Sequence, residues 1–363
     1  MSHGSGTKIK LAAPRSKLYQ GPFGRICPEL DPWSPPNVSD VDLDDHFRDF
    51  ANEHMVERPG ETPEDLLPEA LTLEGEFSSN IPAAYTYFGQ FVDHDITFDP
   101  APLGVRQTDP NALDNFRTPR LDLDNVYGRG PADQPYLYQK GENSAKMAIG
   151  QMEGGSFPDL PRYTMPGATK STAIIGDMRN DENAIVTQLQ LAFLLAHNRL
   201  VDISQEQNGL DFSKPAERAF AFSQARQTLT WLYQHIVWND FVVRIANNDV
   251  HKTALTKTTT GDGRTRWDLG LADVYKWKHQ PFMPVEFSGA AYRFGHSMVR
   301  NAYQTNIKKG FQEFVPIFDS TDRDADDPKD LRGFRPLTED TVVQWDWFLQ
   351  MTSSAGPFPQ MAR

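Results

Sequence analysis

Apolar side chains recur at three- and four-residue steps in several stretches, and each such stretch predicts a helix. From about Ala83, Tyr87, Phe91 and His94 fall at i, i+4 and i+7 on one face, and Gln90 shares it with His94. The most regular stretch is 180–206, NDENAIVTQLQLAFLLAHNRLVDISQE, with Ile185, Leu189, Ala192 and Ala196 in phase. Acidic residues crowd its expected first turn, where they complement the helix dipole. Further helices are expected over about 215–246, from about Glu286 to Val299, and over about 339–352. TKTTTGDGRTRW reads as a short hairpin around Gly-Asp-Gly.

The rest of the pattern is irregular. Residues 1–40 are rich in Pro and Gly and read as an extended arm lying on the body. The segment 63–82 mixes short helical pieces with turns, and 99–172 is loop-dominated. Loops that long are usually functional or wrap something. No internal repeat is visible. The expected fold class is mainly α, with long ordered loops and little β.

A chain of 363 residues is long enough to bury a large core together with a cofactor. Its net charge of -13 argues against nucleic acid and anionic membrane surfaces. One cysteine, Cys27, excludes a disulfide within the chain. No apolar run approaches a membrane span, and the N-terminus has no secretory-signal core. The expected location is therefore cytoplasmic, or outside the cell by a signal-independent route.

Four segments carry candidate chemistry. In FGQFVDHDITFDP, His94 stands between Asp93 and Asp95. A lone histidine on an apolar helix face is commonly a satisfied core residue. Here successive helical residues point about 100° apart, so the three groups address three directions. In RTPRLDLDNVYG, Thr118, Asp122 and Asp124 offer hard oxygens that suit Ca²⁺, although a solvated acidic loop would look the same. In GDMRNDEN, Arg179 and Glu182 are three apart; the plainer interpretation is an exposed first turn. In EFSGAAYRFGHSMVRNAY, Arg293 and His296 are three apart among small residues, which would also suit tight helix packing. The acidic stretch 319–330 lacks the Gly and Glu of an EF-hand and reads as solvated.

Taken together, and in this order, the four segments resemble the animal-type haem peroxidase family, the peroxidase–cyclooxygenase superfamily. The resemblance rests on GQFVDHD, on Thr118 to Gly128, on GDMRNDE leading to HNRL, and on YRFGH. It implies a haem b between His94, the distal acid/base, and His296, the proximal iron ligand. Arg179 would stabilise charge, and Gln90 would be a distal amide. Asp93 and Glu182 would be candidates for ester links to haem, and Arg293 a propionate partner. One Ca²⁺ would be held by Asp95, Thr118, the Arg120 carbonyl, Asp122 and Asp124. Asp124 replaces a more usual Ser. Asn183 stands where some relatives have Met, which excludes a sulfonium link.

The implied activity is reduction of hydrogen peroxide with oxidation of a halide, pseudohalide or small organic donor, in a bacterial-style enzyme. Family members usually continue well beyond GPFPQMAR. Residues 41–363 are therefore expected to be the N-terminal and central part of one peroxidase domain, with the C-terminal part missing or on a companion chain. Two rivals remain. A fatty-acid dioxygenase of the same superfamily would need a tyrosine such as Tyr292, and a calcium-stabilised scaffold would need no catalytic set.

Overall fold

The computed structural model describes residues 23–27, 30, 36, 39–54, 79–98, 115–152, 154–168, 170–270, 275, 281–308, 313–318 and 329–349. Among them the chain is mainly helical, and its strands form five two-stranded pairs. Four helices organise it: α1 (Asp40–His54), α2 (Ala84–Ile96), α3 (Ala184–Asn208) and α4 (Pro215–Ile236). The expected helices at Ala83, 180–206 and 215–246 correspond to α2, α3 and α4. A π-helical turn, Val237–Phe241, continues α4 and leads to Val242–Ile245.

Helix α2 is buried over almost its whole length. It packs on α3, which packs in turn on α4. Phe88, Phe91, Tyr233 and Phe241 meet around it in edge and stacked ring contacts. The largest core cluster unites these rings with Leu123, Val126, Leu191 and Leu194. Gly89 admits the neighbours that close over α2. An added Cβ would lie 3.2 Å from the Phe241 ring, and the Tyr292 hydroxyl donates to the Gly89 carbonyl at 2.9 Å.

Helix α3 starts at Asn183, whose Oδ1 accepts from the Val186 N–H at 2.9 Å. It ends on Gly209 in the left-handed region (φ 59°) that glycine adopts without strain. No acidic residue lies in its first turn. Asp181 belongs instead to a preceding 3₁₀ turn, Met178–Asp181, and is buried against Arg162. The expected dipole complement is thus a buried ion pair.

Other expectations also shift. The helix foreseen at 286–299 breaks at Ala290 into Val285–Gly289 and a 3₁₀ segment, Ala291–Met298. The helix foreseen at 339–352 does not form over its described part, which holds only the 3₁₀ turn Trp345–Trp347. Side chains capture its backbone: Gln188 bonds both the Thr341 carbonyl and the Val343 N–H, and Asn306 bonds the Val342 carbonyl. Those groups have no need of a helical ladder. Val343, Trp347 and Phe348 then fill a second core cluster. The hairpin forms as expected, Leu255–Thr259 with Thr265–Leu269.

Helix α1 lies where the sequence pattern suggested nothing. Its start carries a capping signal, with the Asp42 N–H donating to Ser39 Oγ at 3.3 Å. Of the N-terminal arm, Phe23–Gly24 pairs in parallel with Met283–Pro284, and Glu286 accepts from the Ile26 N–H. Most of 63–82 and of 319–330 lies outside the described residues. Of 319–330, Lys329 is described and exposed, whereas Asp330 is not solvated: it is fully buried and held by Arg332 and Arg335. Among the described residues, no helix is long and apolar enough to cross a membrane.

Candidate active site

The packing of α2 against the 177–183 turn and the 285–298 segment leaves one cavity of about 990 Å³. Gln90, Asp93, His94, Arg179, Glu182, Arg293 and His296 all line it. Three distant stretches of sequence therefore converge on one space. The wall between these polar groups is apolar, with Phe23, Phe98, Phe241 and Phe287 among its members. Gly289 and Gly295, also in the wall, have nothing within 4 Å of an added Cβ.

His94 is buried on the third turn of α2. Its Nδ1 lies 2.7 Å from Asn180 Oδ1, and Asn180 Nδ2 donates to Gln190 Oε1 at 2.8 Å. Burial, reinforced by the Arg179 charge, lowers its pKa to about 4, so the ring is neutral at pH 7. Arg179 is clasped by Asp177 and donates to the His94 and Thr97 carbonyls at 3.0 and 2.7 Å. Its Nη1 has no hydrogen bond among the described residues. Burial raises the Asp177 carboxyl, but Arg179 and Arg117 outweigh it and hold the group at about 2.

Gln90 is fixed at both ends. Its Nε2 donates to Glu182 Oε2 and its Oε1 accepts from Asn183 Nδ2, each at 3.0 Å. Burial raises the Glu182 carboxyl, with Arg179 opposing it. Asp93 accepts from Thr97 Oγ1 at 2.9 Å and faces Arg293 at 3.7 Å.

Arg293 and His296 are both exposed, on the 3₁₀ segment. A 3₁₀ turn eclipses residues three apart, so the break at Ala290 keeps both on one side. His296 Nδ1 lies 2.9 Å from the Arg293 carbonyl, which makes Nδ1 the donor and leaves Nε2 with a lone pair.

Behind α2 lies a second constellation, outside the cavity wall. One ligand atom from each of Asp95, Asp122 and Asp124 falls within 4.8 Å of the others. Asp95 is fully buried, and neither carboxylate oxygen accepts a well-formed hydrogen bond among the described residues. Its pKa is pushed well up, first by burial and then by Asp124 and Asp122. Burial raises Asp124 to about 7 despite Arg117, which donates to its Oδ1 at 3.0 Å. Thr118 Oγ1 donates to Asp122 at 2.8 Å. The Arg120 carbonyl already accepts from Gln234 at 3.4 Å, as the Leu121 carbonyl does at 3.0 Å. Leu121 and Leu123 adopt positive φ, 54° and 59°, a strained course that folds the loop back on itself.

Asn180, Gln190, Asp177 and Arg117 are contributions the sequence did not reveal. The i+10 step from Asn180 to Gln190 crosses from a turn into a helix, and no period links them. Asp177, by contrast, stands two residues from Arg179 and could have been noticed. Gly176 allows this turn to touch the 118–128 loop, since a Cβ there would collide with the Asn125 carbonyl.

The protein is thus mainly helical, with two histidines, two arginines and paired carboxylates around one cavity whose wall is otherwise largely apolar. The animal haem peroxidase family model matches residues 104–334, and the chain belongs to that family. The match covers Arg179, Glu182, Arg293 and His296 and begins after α2. Heme peroxidase 2 of Caenorhabditis elegans is 23% identical over 279 residues, 62% of this chain and 36% of its own length. A peroxidase-like protein of Margaritifera margaritifera is 25% identical, covering 71% of this chain and 31% of its own. Chorion peroxidase of Drosophila melanogaster is 29% identical over 42% of this chain and 17% of its own. The chain thus spans about a third or less of the length of these relatives. Peroxidase A from Dictyostelium discoideum superposes with a TM-score of 0.48 at 15% identity, over 82% of this chain and 60% of that one.

Proposed function

We propose that this chain is a haem peroxidase that reduces hydrogen peroxide at the expense of a halide, pseudohalide or small organic donor. The observation that carries the proposal is the convergence of Gln90, His94, Arg179, Glu182, Arg293 and His296 on one cavity with apolar walls. The residues fit haem b: His296 Nε2 is an available iron ligand, and Arg293 at the exposed rim suits a propionate. Bound haem iron would supply the redox chemistry of O–O cleavage.

The protein's own groups supply the rest. Neutral His94 can take a proton from one peroxide oxygen at Nε2 and return it to the other. Arg179, immobilised by Asp177 and two carbonyls, stabilises negative charge without reorganising. Gln90, held by Glu182 and Asn183, offers its second N–H as a fixed donor beside the cavity. Asp93 and Glu182 both border the space where ester links would form.

Asp95, Asp122 and Asp124 fit Ca²⁺. Both Asp95 oxygens and Asp122 Oδ1 are buried without donors, which is costly, and a hard cation would relieve these three atoms. Thr118 and the Arg120 carbonyl complete the proposed shell, Arg120 by releasing Gln234. No companion chain is invoked.

The dioxygenase alternative has one observation in its favour, that Tyr292 lines the same cavity. Haem-loaded protein given peroxide with iodide or a phenol should oxidise the donor. Oxygen uptake with a fatty acid but no donor oxidation would favour the alternative, and failure to bind haem would defeat both.

A further inference from the structure

We propose that Asn180 is a positioning residue that holds His94 as the Nδ1–H tautomer and so presents a basic Nε2 to the incoming peroxide. The inference rests on the peroxidase reading above and adds a residue to it. Asn180 and Gln190 are both fully buried, and neither lines the cavity, so the Asn180 side chain reaches it through the His94 ring. The chain of bonds runs in one sense: Asn180 Nδ2 donates to Gln190 Oε1 on α3, which turns Oδ1 toward His94 Nδ1, 2.7 Å away. An amide oxygen can only accept, so in this orientation Nδ1 carries the proton. Nε2 then holds the lone pair, and it has no hydrogen-bond partner among the described residues.

The opposite orientation would aim an NH₂ group at Nδ1. The ring proton would then sit on Nε2, and that nitrogen could not accept a proton from peroxide. The residue at 180 thus decides whether the neutral imidazole is a base or only a donor toward the cavity. No charge is needed for this; orientation is enough. The arrangement is anchored twice, since His94 rides on α2 while Asn180 and Gln190 are tied to the start of α3.

Cyanide binding to the ferric, haem-loaded chain reads this out apart from turnover, because HCN must give its proton to a cavity base as cyanide enters. Asn180→Leu should slow cyanide association by about 100-fold or more, the scale of a lost general base. Asn180→Asp keeps an acceptor at Nδ1 and should restore association to within about tenfold of wild type. Gln190→Leu, remote from the cavity, should slow it in the same direction by releasing Asn180. Equal rates in wild type and Asn180→Leu, at matched Soret absorbance, would overturn the proposal, as would an Asn180→Asp protein as slow as Asn180→Leu. In ¹⁵N-histidine-labelled full chain, His94 should show a protonated Nδ1 whether or not haem is present; a protonated Nε2 would also overturn it. Wild-type protein with no Soret band would instead remove the peroxidase reading and leave the tautomer result standing.

Discussion

Two buried histidines of this chain share a lowered pKa and differ in purpose. His197, on α3, accepts from the Tyr127 hydroxyl at Nδ1 and donates to the Ala145 carbonyl at Nε2. Both ring nitrogens are satisfied, and burial pulls the pKa to about 4. His94 has the same depressed pKa but one nitrogen without a partner among the described residues, beside a cavity. That contrast marks the functional one. Replacing His94 with Gln should leave haem binding intact and slow the reaction with peroxide by about 10²–10⁴-fold, measured by stopped-flow.

For His197 the consequence is acid lability. The unfolded chain binds a proton near pH 6.5 and the folded chain only near 4, so stability falls as pH drops through that window. The loss is of the order of 3 kcal/mol at pH 4. Urea unfolding at pH 7 and pH 4.5 should show a smaller difference for His197→Gln than for wild type; an equal difference would contradict the assignment.

At the scale of elements, α2 is the hub. One face carries Gln90 and His94 to the cavity, and Asp95 turns behind it to the Asp122–Asp124 loop. A cation there would pin the loop to the helix that carries His94 and fix the imidazole indirectly. Treatment with a calcium chelator should lower the melting temperature of the wild-type chain, and calcium should restore it. Asp95→Asn should abolish that response, as differential scanning fluorimetry would show. Indifference of wild type to both calcium and chelator would dispose of the site.

Helices α2, α3 and α4 were legible because their apolar positions repeat at helical steps. Burial departs from the expected stripe: α2 is buried on nearly every side, and α3 buries Leu191, Leu194 and Val201 while Ala192 is exposed. The segment 339–349 was not legible. Its apolar residues are spaced as a helix would space them, yet Gln188 and Asn306, 36 or more positions from the groups they hold, take its backbone instead. Long-range capture of this kind leaves no local pattern. Helix α1 was missed for the opposite reason. Its exposed face gives little periodic signal, and Ser39 was its only mark.

At the scale of the whole molecule, the cavity draws its wall from α2, the 177–183 turn, the 241–246 stretch that follows α4, the 285–298 segment and Phe23 of the N-terminal arm. Filling it should couple these parts. Haem at 100 times its dissociation constant should raise the unfolding free energy by about 2.7 kcal/mol. A higher melting temperature on haem addition, lost in His296→Ala, would report that coupling, and haem binding unaffected by His296→Ala would place the iron elsewhere.

The sequence by itself determined the helical class, the three central helices, the hairpin and the residue types around the cavity, because periodicity, turn chemistry and motif spacing are local properties. Tertiary structure alone decided that Gln90, His94, Arg179 and His296 share one space. It also decided that Asn180 rather than a flanking carboxylate holds the His94 ring, that Asp181 and Asp330 are buried ion-pair partners, and that the 286–299 helix breaks. Each of these depends on which distant group lies within hydrogen-bonding reach, and no local pattern encodes that.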